Sequence, residues 1–159
     1  MYRYLIAAAL ATVLAVAPLG SVRADAAPPS KDEVVAQVKK GIAFYKSAGR
    51  DKAIAEFNNK DGQFAKGEDY IDVHDVAGNC VAHPTTPSLV GLNRLEAADP
   101  AGTKFIKEIV DETKAGKSSG WSSYQRKNPV SGKVEHKLAY WEVYDGLIFK
   151  AGTYDPNAK

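Results

Sequence analysis

Residues 133–154 read KVEHKLAYWEVYDGLIFKAGTY. Two runs rich in aromatic and branched residues flank Asp145-Gly146, a dipeptide suited to a tight two-residue hairpin. The first run alternates as a strand does, with Lys137, Trp141 and Val143 on one face and His136, Leu138, Tyr140 and Tyr144 on the other. Upstream, GWSSYQRK (120–127) gives another strand, set off by the turn-forming NPVSG. Further upstream, DYIDVHDV (69–76) alternates Ile71 and Val73 against Tyr70, Asp72 and His74. AGN (77–79) turns the chain and CVAH (80–83) returns it as a second hairpin. Five strand candidates joined mostly by hairpins predict one antiparallel sheet.

Between and before these strands the apolar period is helical. Ser30 and Glu33 form a capping-box pattern, followed at helical spacing by Val34, Val35, Val38, Ile42 and Tyr45. This predicts a long helix to about Ser47 that stops at Ala48-Gly49. A shorter helix follows, with Asp51 as its cap and Ile54 and Phe57 on one face, and NNKDGQF (58–64) ends it. A third helix is predicted over 102–117, with Phe105, Ile106, Ile109 and Val110 on its apolar side. The fold class is α+β, a long N-terminal helix followed by an antiparallel sheet whose face the helices cover.

The ends of the chain bear on its compartment. A short basic start, an apolar run over 5–20 broken by Pro18, and SVRA (21–24) have the layout of a secretory signal peptide. The expectation is cleavage after Ala24, a domain over 25–159, and a periplasmic location; an uncleaved anchor is the competing reading. The full chain has 21 Lys+Arg and 19 Asp+Glu. Arg3 and Arg23 lie in the leader and no acidic residue precedes Asp25, so the remaining domain is balanced at 19 against 19. Such a balance gives no electrostatic footprint for a nucleic-acid partner. Cys80 is the only cysteine, so no internal disulfide can form, and its place at the start of an apolar strand predicts burial.

Several ordered pieces carry a resemblance. Phe57-Asn58 closes a helix, Asp75 to Gly78 forms a D-x-x-G turn, and the next strand ends in Ala82-His83-Pro84. Leu89-Val90-Gly91, then GWSSYQRKNP with its Gly-Trp-x-x-Tyr pattern, then Lys137-x-x-Tyr140 and a closing Gly152-x-Tyr154 follow in order. In this order they resemble the single Cache domains, extracellular relatives of PAS domains, over nearly all of residues 25–159. The resemblance implies a PAS-like sheet of about five strands and a small-ligand pocket between sheet and overlying loops. It implies a short organic acid as ligand and a role as a sensor. The sequence closes five residues past Tyr154, so the expectation is a free-standing exported form that signals through a separate membrane sensor kinase or chemoreceptor.

By family position the ligand-binding candidates are His83, Trp121, Tyr124, Lys137 and Tyr140. Lys137 lies mid-strand, where a lysine either faces water or pairs with an anion. Tyrosine offers a hydroxyl donor and an apolar body, which serves a core as well as a ligand. His83, held extended by Pro84, reads either as a rim donor to a carboxylate or as a strand-end ring capping a loop. His74, Cys80 and His83 lack the paired spacing of a zinc site, no C-x-x-C-H is present, and no G-x-S-x-G elbow occurs. No cofactor, metal or catalytic activity is expected. A ligand-free interaction module of a membrane sensor, and a periplasmic metal-binding protein, stand as alternatives.

Overall fold

The computed structural model describes residues 27–155; the leader at 1–24 lies outside them. Helix α1 (Lys31–Ala48) begins at the Ser30 cap, where Ser30 Oγ accepts from Glu33 N and Glu33 returns a bond to Ser30 N. Gly49, at φ 84°, breaks it from α2 (Arg50–Asn58). The expected Asp51 cap is absent: Gly49 occupies the cap position and no side chain bonds the first turn. A short ribbon of β1 (Ala65–Lys66) and β2 (Asp69–Tyr70) follows, which the turn-rich sequence 58–68 did not suggest.

The main sheet comprises β3 (Asp72–Asp75), β4 (Cys80–Ala82), β5 (Ser119–Lys127), β6 (Val134–Tyr144) and β7 (Leu147–Asp155). Its order is β4-β3-β7-β6-β5 and every pairing is antiparallel. The three tail strands form a meander, and the first hairpin adds to it through β3 against β7. The β6–β7 turn is the expected one, with Asp145 at φ 52° and Gly146 at φ 70°, so both central residues occupy the left-handed region a primed hairpin turn needs. Tyr45 Oη donates to Asp145 Oδ2 at 2.6 Å and ties α1 to that turn.

The sheet buries both faces. On one, α1 and α2 pack through Val34, Val38, Ile42, Tyr45 and Phe57 against Val73, Phe149 and Ala151. On the other, α3 (Phe105–Lys114) packs through Phe105, Ile106, Ile109 and Val110 against Tyr124, Ala139, Trp141 and Ile148. Trp141 fits flat because Gly120 lies opposite it; a Cβ there would come within 2.7 Å of the indole. The second face is only half covered by α3. A loop from His83 to Lys104, containing a single 3₁₀ turn at Pro87–Leu89, covers the rest. Its root is pinned to the sheet edge by Cys80 N to Leu92 O at 2.9 Å and Gly91 N to Cys80 O at 2.8 Å. Where it meets α3, Asp99 Oδ2 accepts from Gln125 N at 2.7 Å.

The half beside α3 holds long polar side chains in close packing, and Gly152 makes room for one of them. A Cβ at Gly152 would stand 2.6 Å from Lys137 Cε and 2.8 Å from the Leu138 carbonyl oxygen, and the backbone atom cannot swing away. Gly152→Ala is therefore expected to cost about 1–3 kcal/mol, read as a lower urea midpoint. An unchanged midpoint would contradict this close approach.

Candidate functional site

Register decides which side chains meet. Pairing of Tyr124 with Lys137, Lys137 with Tyr154, Trp141 with Lys150 and Lys150 with Asp72 places these residues in cross-strand rows. They share the α3 face with Ala139 and Trp141. This face therefore carries two buried lysines, Lys137 and Lys150, at 1% and 3% exposure.

Lys150 is satisfied. Its Nζ stands 3.0 Å from Asp72 Oδ2 and donates to Tyr124 Oη at 3.0 Å. Asp72 also faces His74 Nδ1 at 3.4 Å. Burial would raise the Asp72 pKa, yet the Lys150 charge and the His74 hydrogen bond outweigh it and hold the carboxyl well below its usual range. Burial lowers the His74 pKa, against the pull of Asp72. Tyr124 stacks on Phe105 with ring centroids 3.8 Å apart and planes at 6°. Burial raises its pKa, so the phenol stays protonated. Since its oxygen accepts from Lys150, its own proton is left to donate.

Lys137 is different. Among the described residues its buried Nζ makes no ion pair, and its one hydrogen bond, to Tyr70, is of poor geometry. It lies over the faces of Tyr70 at 3.9 Å and Tyr154 at 5.0 Å. The two phenols are joined at 3.3 Å, and Tyr154 Oη donates to Lys127 O at 3.3 Å. Tyr154 has one proton and spends it there, so Tyr70 donates to Tyr154 and keeps only acceptor capacity. Burial would raise the Tyr70 pKa, but the Lys137 charge prevails and the net shift is downward.

His83 joins the group from the end of β4. Burial pushes its pKa down to about 3, and the Arg126, Lys150 and Lys137 charges add to this against Asp72. Its ring is neutral. Arg126 Nη2, which can only donate, stands 3.2 Å from His83 Nε2, so Nε2 accepts and Nδ1 carries the proton toward Thr85 Oγ1 at 3.4 Å. Asn58 Oδ1 accepts from His83 N at 3.0 Å and fixes the backbone. His83 thus keeps one ring proton, facing Thr85, and its other nitrogen holds the Arg126 guanidinium.

Between these groups lies a cleft lined by Tyr70, Asp72, His83, Tyr124, Arg126 and Lys150 on the sheet side. Leu89, Arg94, Phe105 and Ile106 close it from above. Its cavity volume is about 10 Å³, room for roughly one water. A larger groove of about 1070 Å³ runs past Glu33, Gln37, Lys40 and Asp69, but it contains none of the sheet-face cations.

Of the five sequence candidates, His83 and Tyr124 line the cleft and Lys137 is buried behind Tyr70. Trp121 and Tyr140 stand elsewhere. They pair across β5 and β6 with rings 5.4 Å apart, on the α1 face, where Lys31 lies over Trp121. Strand parity is the reason: Trp121 and Tyr124 are three residues apart, and Tyr140 is three from Lys137, so each pair must split between faces. Asp72, Arg126 and Lys150 were not singled out from sequence. Their signal was parity with known members of the face, Arg126 two residues from Tyr124 and Lys150 two from Gly152. Cys80 is buried, and desolvation pushes its thiol up to about 11, which leaves it unreactive. Among the described residues no group of three or more His, Cys, Asp or Glu is placed to hold a metal ion.

A five-stranded antiparallel sheet behind a long N-terminal helix, with a polar cleft under a covering loop, defines a PAS-like sensor-type domain. The family model for single Cache domain 2 matches residues 34–147, and the chain belongs to that family. Among solved structures it is similar to a methyl-accepting chemotaxis protein from Vibrio parahaemolyticus RIMD 2210633, with TM-score 0.66 and 23% identity over 78% of this chain and 87% of that one. It is also similar to a Cache chemosensory domain described for carboxylic acid recognition, with TM-score 0.59 and 21% identity over 77% and 86% of the two chains. At these identities the likeness is one of fold. In sequence it is 34% identical over 84 residues to the sensor histidine kinase MctS of Rhizobium johnstonii, matching 53% of this chain but only 18% of that protein.

The buried imidazoles have a measurable consequence. His83 is neutral in the folded protein but takes a proton near its ordinary 6.5 when unfolded. Between 6.5 and about 3 the unfolded chain binds more protons, so stability falls as pH falls through that window. His74 acts in the same direction. Each group contributes at most about 1.4 kcal/mol per pH unit. The slope of unfolding free energy between about pH 6 and pH 4.5 should be shallower in His83→Gln than in the wild type. Equal slopes would show that His83 is not held neutral.

Proposed function

We propose that this domain is an exported sensor module. It binds a short organic acid beneath the covering loop and passes the bound state to a separate membrane sensor kinase or chemoreceptor. One observation carries the reading, the buried Lys137 Nζ, which has no ion-pair partner among the described residues and only a poorly aligned hydrogen bond to Tyr70. A buried charge without a partner is costly, and two tyrosine faces offset only part of that cost. A ligand carboxylate would supply the missing partner through a charge-assisted bond. The Tyr124 proton and the Arg126 guanidinium are further donors on the same side. Entry of even a small acid requires the covering loop or the Arg126 side chain to move, since the cleft holds about one water.

Two relatives support the role. One similar structure is a domain described for carboxylic acid recognition, and the similar segment of MctS belongs to a sensor kinase. Export rests on the signal-peptide layout of residues 1–24. No helix among the described residues is long and apolar enough to cross a membrane. The tightness of the cleft favours a second reading, a ligand-free interaction module, and the same experiment separates the two.

Thermal unfolding should be followed with acetate, propionate, glycolate and malonate. A ligand at a hundredfold its Kd stabilises the folded state by about 2.7 kcal/mol. At least one acid is expected to raise the wild-type Tm. Lys137→Met, which keeps volume and removes the charge, is expected to raise the Tm of the acid-free protein and to abolish the shift. If the variant responds to acid as the wild type does, Lys137 is not the anchor. If no acid moves the wild-type Tm, the ligand-free reading stands.

A further inference from the structure

The cleft contains one anion of its own, and its position constrains what can bind beside it. Asp72 is 1% exposed, sits mid-row between β7 and the covering loop, and lines the cleft with Oδ2 against Lys150. Oδ2 stands 3.0 Å from Lys150 Nζ and 3.4 Å from His74 Nδ1, neither in good hydrogen-bond geometry, so it can accept a better-aligned donor. Among the polar groups that line it, Arg94, Arg126, Lys150 and the Tyr124 hydroxyl donate, with Lys137 behind Tyr70; Asp72 and Tyr70 only accept, and the His74 and His83 rings each have one donor and one acceptor.

We infer that Asp72 is the specificity-determining residue of the cleft, selecting a short monocarboxylate that carries a hydroxyl on the carbon next to its carboxylate. This rests on the carboxylate reading given above. The ligand's carboxylate takes the donor side, and its hydroxyl donates to the acceptor side at Asp72 or Tyr70. A plain acid leaves that acceptor side unmatched. A second carboxylate would be driven against Asp72 in a buried setting where like charges are poorly screened. An ammonium in place of the hydroxyl would match Asp72 but would enter a space that also faces Lys150, Arg94 and Arg126. The hydroxyl supplies the donor without that repulsion.

The test is isothermal calorimetry of the domain with acetate, glycolate and malonate, which differ only in the substituent on the carbon next to the carboxylate. The wild type is expected to bind glycolate about tenfold tighter than acetate, the effect of one hydrogen bond to a charged acceptor. Malonate is expected to bind more weakly than acetate. In Asp72→Asn the glycolate advantage should shrink to less than about threefold and malonate should gain. The double variant Asp72→Asn with Lys150→Met removes the ion pair as a unit and should show the same loss of discrimination, which covers the case in which the single change fails to fold. Equal wild-type affinity for glycolate and acetate, or a preference that survives in both variants, overturns the inference and leaves the carboxylate reading intact. Wild-type protein that binds none of the three acids overturns both.

Discussion

Two lysine side chains are buried on one face of the central sheet, and among the described residues only one of them has an anion within ion-pairing distance. That imbalance organises this half of the molecule. Asp72 neutralises Lys150 and is held ionised by it. Lys137 is left with aromatic faces, which solvate a cation weakly. A core built for stability alone would place an apolar side chain at position 137, as the alternate residues Ala139 and Trp141 along the same face do. The domain instead keeps a lysine there, which is the ground of the anchor role proposed for it.

The remaining structure serves to hold that charge in place. The Asp145-Gly146 turn sets the β6–β7 register, which stacks Tyr154 beside Lys137 and Gly152 under its Cε. The β3–β7 pairing then delivers Asp72 to Lys150 and no farther. Tyr70, from the small ribbon, closes over the ammonium, and its bond to Tyr154 fixes it as an acceptor. His83 stays neutral, anchors at Asn58 and Thr85, and points Arg126 at the cleft. The covering loop supplies Leu89 and Arg94 from above. Loops tied at their ends and lightly packed at mid-span are suited to open and close over a ligand.

Much of this could be read in the sequence, because it follows from short-range chemistry. The capping box at Ser30, the Asp-Gly turn and the alternation of the tail strands each specify local geometry, and the sheet and α1 follow from them. The small β1–β2 ribbon could not be read, because two-residue strands carry no periodicity. Lys137 stood out because a mid-strand lysine breaks an apolar pattern. Trp121 and Tyr140 lie on the opposite face to Tyr124 and Lys137, which parity along each strand already required. Asp72 and Arg126 were hidden for another reason. A charged residue in an alternating strand reads as solvent-facing, and only the tertiary cover of the loop and α3 buries Asp72 and half-buries Arg126.

The central claim is that the Lys137 ammonium is an anion anchor, and the most direct measurement is a crystal structure of the domain with a bound short carboxylate. The account requires a carboxylate oxygen within about 2.7–2.9 Å of Lys137 Nζ, with the Tyr124 hydroxyl or Arg126 on the same ligand. A carboxylate bound elsewhere, with Lys137 Nζ still resting only on Tyr70 and Tyr154, would contradict it.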